Sequence, residues 1–184
     1  MPCQVGHAPV VANGGRTNGL LRAGKVTASI SRQGMALPHG TNYNTLMTIH
    51  EARFRVRYAE TDQMGVVYYA NYLIWMEIGR AEYCRAAGIR YKDMESADGI
   101  RLAVVDAHCR YLHPARYDEE IAVKTWIARA NRRMIQFEYH IREAESAQTL
   151  AEGETKHIFL GADMRPVKLP EKYHACFGLP NATD

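Results

Sequence analysis

The chain has 184 residues, an ordinary size for one domain with a buried core and a tail left over. Of its 23 basic and 20 acidic residues, residues 1–47 hold four basic ones (Arg16, Arg22, Lys25, Arg32) and no acid, which leaves 19 basic against 20 acidic in the rest. The pI of about 8.7 therefore comes largely from the first segment, and the near-neutral remainder excludes the positive field that nucleic-acid binding needs. Cys3, Cys84, Cys109 and Cys176 stand far apart with no Cys-x-x-Cys pair, the usage of reduced thiols rather than of a disulfide framework. No apolar run reaches the length of a membrane span and no early run has a secretory h-region, so a cytoplasmic address is expected.

Residues 1–47 contain half of the 14 glycines, few large apolar side chains and no period of 2 or 3.6. Such a segment cannot bury enough surface to offset its ordering entropy, and it is read as a disordered or artefactual extension. Two rival readings stay open: synthesis starting at Met47, and an acid-free, Arg-bearing transit segment, against which the glycines count. Residues 48–178 form the expected domain and 179–184 a C-terminal tail.

From Ala52 the pattern alternates, with Phe54, Val56 and Tyr58 on one side and Arg53, Arg55 and Arg57 on the other, as in a half-buried strand. A Gly-containing turn over 59–71 then leads into a helix over 72–87 whose apolar residues cover nearly the whole circumference, so that it must be wrapped. Asn71 is the expected N-cap of this helix and Gly88 its C′ residue. A short helix over 90–97 follows, and then strands at roughly 100–111, 120–130, 134–144 and 149–160. The link through Asn131, Arg132 and Arg133 is short enough for an antiparallel hairpin. One strand, a central helix and an antiparallel meander make an α+β plan in which the sheet curls around the helix.

Asp62 in the turn has two readings: a turn-former bonded to its own backbone, or a reactive carboxylate beside N–H groups at a helix start. Glu77, inside the helix, reads mainly as an i,i+3 partner of Arg80, as Glu82 does of Arg85. Tyr58, Tyr68 and Tyr72 read as core or pocket wall. Other chemistries fare poorly. The domain's two serines, Ser96 and Ser146, lie in no Gly-x-Ser-x-Gly elbow. His108, Cys109 and His113 lack zinc spacing, and no Gly-rich nucleotide loop is present, so neither metal nor cofactor is expected.

The stretch Tyr-Ala-Glu-Thr-Asp-Gln-Met-Gly-Val-Val-Tyr-Tyr-Ala-Asn-Tyr, residues 58–72, resembles the 4-hydroxybenzoyl-CoA thioesterase family, including the Tol-Pal-associated acyl-CoA thioesterases. The family pattern is roughly Tyr-x-Asp/Glu-Thr-Asp-x-x-Gly-Val-Val-Tyr-x-x-x-Tyr, and the resemblance covers about residues 51–178. It implies a hotdog fold, a homodimer or homotetramer paired through a sheet edge, and hydrolysis of an acyl-CoA to free acid and CoA. It implies Asp62 as nucleophile or general base and the backbone N–H of Tyr69 as oxyanion polariser, with Gly65 shaping the approach and Tyr68 at the substrate. Many members carry His where this chain has Tyr69, a change that matters little if the position acts through its N–H.

So small a constellation suits a thioester, because a thiol of pKa about 8.5 leaves as thiolate with little acid assistance. A carboxylate and one or two fixed donors, worth about 3 kcal/mol each, then suffice. CoA phosphates call for basic groups, which the resemblance places at Asn131, Arg132 and Arg133 and, in the closing Arg165-Pro166-Val167-Lys168 segment, at Lys168. Three alternatives remain: action on acyl carrier protein thioesters, a non-catalytic acyl-CoA-binding module, and a hotdog hydratase. The last needs an Asp/His pair and a hydratase segment that are not found.

Overall fold

The computed structural model describes residues 48–180. The expectations for residues 1–47 and 181–184 lie outside the described residues. Five strands, β1 (His50–Arg55), β2 (Arg101–Tyr111), β3 (Glu120–Ala130), β4 (Met134–Glu143) and β5 (Thr149–Leu160), form one antiparallel sheet in the order β1-β3-β4-β5-β2. Helix α1 (Asn71–Ala86) packs against β1 and β3 on one face of this sheet, and α2 (Tyr91–Asp98) sits against β2. The α+β plan and the strand positions thus match the sequence expectation.

Local chemistry sets each boundary. Helix α1 ends in a Schellman motif: Gly88 takes φ +85°, its N–H donates to Arg85 O at 3.1 Å, and Ile89 N–H donates to Cys84 O at 2.8 Å. The β3–β4 hairpin is closed by Asn131, whose side-chain oxygen accepts from the N–H groups of Arg133 (2.8 Å) and Met134 (2.9 Å). Asn71, expected as the N-cap, is instead the first residue of α1, because its side chain donates to Glu60 O at 2.8 Å rather than back to the helix. Tyr58, expected on the buried face of the first strand, is 78% exposed. The chain leaves the sheet after Arg55 and turns in a short 3₁₀ segment over Tyr58–Glu60, so the period of two no longer applies there.

Tyr72, Trp75, Met76, Gly79, Tyr83 and Cys84 bury one stripe of α1 against the sheet. Leu73 and Ile74 remain 41% and 45% exposed on the other side, so the described residues wrap the helix only in part. Close approach rests on two glycines. A Cβ built on Gly79 would lie 2.5 Å from Thr125 Oγ1 and 2.8 Å from Val123 Cγ1, and one on Gly153 would lie 2.1 Å from Met76 Cε and 2.8 Å from His108 O.

The core also holds a polar layer. Tyr139 and Thr155 hydroxyls meet at 2.7 Å, and His157 Nε2 lies 2.7 Å from the same Thr155 oxygen. Burial, followed by the neighbouring Arg80 charge, pushes His157 down to about 3, so the ring is neutral in the folded protein. The C-terminal segment is docked as well: Phe177 packs on Phe159, Lys172 pairs with Asp98 at 2.7 Å, and the buried His174 ring lies between Leu169 O and Pro180 O.

Two outcomes follow from this packing. Gly153→Ala forces a methyl group against the His108 carbonyl, and overpacking of this kind costs about 1–3 kcal/mol, read as a Tm several degrees lower in a thermal melt. His157 has a folded pKa below its unfolded value near 6.5. The unfolded chain therefore binds the extra proton first, so this stabilisation is complete above pH 6.5 and is lost as pH falls towards about 3. Tm measured against pH declines less steeply over that window in His157→Gln than in the wild type.

Candidate active site

The turn between β1 and α1 is pinned at both ends. Thr61 and Val67 form an antiparallel bridge, Asp62 N–H donates to Val66 O at 2.9 Å, and Gly65 N–H donates to Asp62 O at 3.0 Å. Gly65 takes φ +72°, and a Cβ there would touch nothing within 4 Å. Its glycine is therefore required by backbone conformation rather than by crowding. Asp62 is half-buried, and its Oδ1 accepts from Met64 N–H at 2.8 Å. This is the turn-forming contact, yet it uses one oxygen only: Oδ2 has no hydrogen bond among the described residues.

The turn runs directly into α1. Tyr68 N–H donates to Glu60 O at 2.9 Å, and Tyr69 O accepts from Tyr72 N–H at 3.3 Å and from the Tyr111 hydroxyl at 3.1 Å. The Tyr69 N–H has no acceptor among the described residues and lies at the positive end of the helix dipole. Burial, then Cys109, pushes Tyr111 up to about 12, so it stays a phenol able to donate that bond. At Tyr69 opens a cleft of about 260 Å³, walled by Val67, Tyr69, Tyr72, Tyr111, Leu112, His113 and Pro114. Tyr72 is core, its hydroxyl accepting from Ala115 N–H at 3.0 Å, whereas the Tyr68 and Tyr69 rings are exposed and lie against each other at a tilt of 50° with centroids 4.5 Å apart.

Beneath the turn lies a residue the motif contained but residue-level reasoning passed over. Glu60 is 4% exposed. Its carboxylate accepts from Arg57 N–H (2.7 Å), the Arg57 guanidinium (3.0 Å) and the Trp75 indole N–H (3.1 Å). Burial pushes its pKa up, but the Arg57 and Trp75 hydrogen bonds outweigh that and hold it below the usual carboxylate range. The signal was a Trp inside an apolar helix, whose N–H needs an acceptor when buried.

Asp62, Gly65, Tyr68 and Tyr69 thus fall together, and so do the basic candidates. Leu169 N–H donates to Arg132 O at 2.7 Å, which lays the Lys168 segment along the hairpin tip beside exposed Arg132 and Arg133. The two groups are far apart. Asp62 lies off the Glu120 end of β3 and Arg132 just past its Ala130 end, with the length of the strand between them, which if straight spans about 33 Å at roughly 3.3 Å per residue. Glu77 is exposed and forms no ion pair among the described residues, while Glu82 pairs with Arg85 as expected.

Residues 56–177 match the thioesterase-like superfamily. The chain is 45% identical over 95 residues to "Putative acyl-CoA thioesterase YneP" of Bacillus subtilis, covering 52% of this chain and 68% of that protein. It is 28% identical over 123 residues to acyl-CoA thioesterase YbgC of Haemophilus influenzae, covering 67% and 90%. The solved DHNA-CoA thioesterase of Staphylococcus aureus matches with a TM-score of 0.68 at 32% identity, over 71% of this chain and 89% of that one. Together with the five-stranded sheet and its central helix, these matches establish that the chain belongs to the thioesterase-like superfamily and is a hotdog-fold thioester hydrolase.

Proposed function

We propose that the protein hydrolyses an acyl-CoA to free acid and CoA at the cleft beside Asp62. The observation that carries this reading is the pairing of a carboxylate with one oxygen unengaged and a helix-start N–H without an acceptor. Asp62 attacks the thioester carbonyl or draws a proton from water, and the Tyr69 N–H polarises the carbonyl oxygen as negative charge develops on it. The Tyr69 ring contributes cleft wall and no proton, which is why Tyr can stand where many family members have His. Gly65 shapes the turn, and Tyr68 offers an aromatic face beside Tyr69, whose own side lines the cleft.

Asn131, Arg132, Arg133 and Lys168 lie at the far end of β3 from the Asp62 cleft of their own chain. Strand β2 is a sheet edge, with Val104 and Val105 exposed at a bulge near its middle. Its Tyr111 end borders the cleft, and its Arg101 end lies by the closing segment, where the Arg101 guanidinium donates to Gly161 O and Ala162 O. Antiparallel pairing of β2 with β2 of a second copy sets these unlike ends side by side and brings the second copy's basic tip towards the cleft. The active form in this reading is a homodimer or a tetramer of such dimers.

A panel of aliphatic and aryl acyl-CoAs with free-thiol detection tests the reaction, and acyl carrier protein thioesters in the same panel test the rival substrate. Asp62→Asn keeps the Asx-turn acceptor but loses the charge, so kcat falls by roughly 10²–10⁴ in a folded protein. Near-wild-type turnover in that variant sinks the mechanism. Replacing Arg132 and Arg133 together by Ala raises KM for acyl-CoA about tenfold with kcat mostly preserved, because phosphate contacts bind ground and transition states alike. An acyl-pantetheine substrate without the nucleotide is unaffected; an equal KM rise on both substrates shows that the hairpin was merely disturbed.

A further inference from the structure

We infer that Glu60 is the positioning residue of the active site, fixing the Asp62 carboxylate relative to the Tyr69 N–H; the inference rests on the reading of Asp62 given above. Five hydrogen bonds converge on this one buried residue. Its side chain ties the end of the β1 segment, through Arg57, to the second turn of α1, through Trp75. Its carbonyl oxygen accepts from Tyr68 N–H at 2.9 Å and from Asn71 Nδ2 at 2.8 Å. Glu60 therefore holds both ends of the loop 61–67 that carries Asp62, and the last residue before Tyr69 hangs on the same main-chain oxygen.

The chemistry of the contacts argues against a role in stability alone. A buried carboxylate is costly, and an apolar residue at position 60 could fill the space beside Trp75 without it. What an apolar residue cannot do is accept from the strand end and the helix at one point. Glu60 does not touch substrate: it is buried beneath the turn, and all three of its side-chain bonds point into the protein. Its effect passes through the placement of Asp62, and a displacement of about 1 Å at a reacting group is enough to cost about a hundredfold in rate.

The test uses the full chain, the acyl-CoA that the wild type turns over fastest, and CoA alone as the binding probe. Glu60→Gln sets an amide N–H₂ against the Arg57 N–H or the Trp75 indole, so one bond becomes donor against donor. The expected result is kcat lower by tenfold to a hundredfold, with KM and the Kd for CoA within twofold of wild type. Trp75→Phe removes the indole N–H together with the five-membered ring, and in a variant whose thermal melt shows it folded it lowers kcat by a smaller factor. If both act through one network, the double variant is no slower than Glu60→Gln alone. Folded Glu60→Gln with kcat within twofold of wild type overturns the inference, and so does a fall in CoA affinity that parallels the fall in kcat. If Glu60→Gln does not fold, Trp75→Phe decides, and wild-type kcat in that variant overturns the proposal. An inactive Asp62→Asn beside a fully active Glu60→Gln removes this inference alone, whereas an active Asp62→Asn removes the reading beneath it.

Discussion

Everything in this fold depends on how closely α1 lies on the sheet. Gly79 on the helix and Gly153 on β5 leave no room for a Cβ: the first would strike Thr125 and Val123, the second Met76 and a backbone carbonyl. With the helix axis held at that depth, Trp75, Met76, Tyr83 and Cys84 fill the space between helix and strands, and Phe54 meets Trp75 edge-on at 5.7 Å. The N-terminus of α1 is then fixed in space by core packing rather than by its own cap, since Ala70 supplies no side-chain capping bond. The role proposed for the Tyr69 N–H requires that the helix cannot slide, and the glycine contacts hold it in place.

The turn contains two carboxylates two residues apart, and their environments assign them different work. Glu60 is buried under the turn, saturated by Arg57 and Trp75, and held ionised by those hydrogen bonds. Asp62 sits above it, half-exposed, with one oxygen committed to the Met64 N–H and the other unengaged. A carboxylate with both oxygens engaged inside the protein is a structural anchor; one with an unengaged oxygen is free to act on a ligand. The side chain of Asn71 makes the same distinction, because it gives up the capping role to bind the Glu60 carbonyl.

How much of this was legible in the sequence depended on whether the information is local. The strands at 120–130 and 149–160 and the ends of α1 could be read almost to the residue, because alternation, the Asn131 turn and Gly88 act within a few positions of themselves. Tyr58 misled for the same reason: the alternation of the first strand predicts it inward, but the chain has already left the sheet, and it packs edge-on against Tyr117 at the surface. The motif pointed to Asp62, Gly65 and Tyr69, and they are neighbours in the fold. It said nothing of Glu60 as a hub, whose partners include Trp75, 15 residues away. Tyr111, 42 residues from Tyr69, was hidden for the same reason. Nor could it show that Arg132 and Asp62 occupy opposite ends of one sheet, which is a property of strand order.

That separation bears on why the edge strand β2 looks as it does. A long edge strand is a hazard unless it is covered, charged or bent, and β2 is eleven residues long with Val104 and Val105 exposed at its bulge. Its outer backbone groups have no partner strand among the described residues. The uncovered apolar side of α1 at Leu73 and Ile74 adds a second surface of the same kind. A lone copy would expose both and would keep its carboxylate at the opposite end of β3 from its basic hairpin tip. In the proposed dimer, antiparallel self-pairing of β2 would satisfy the edge and bring a basic tip towards each cleft in one step.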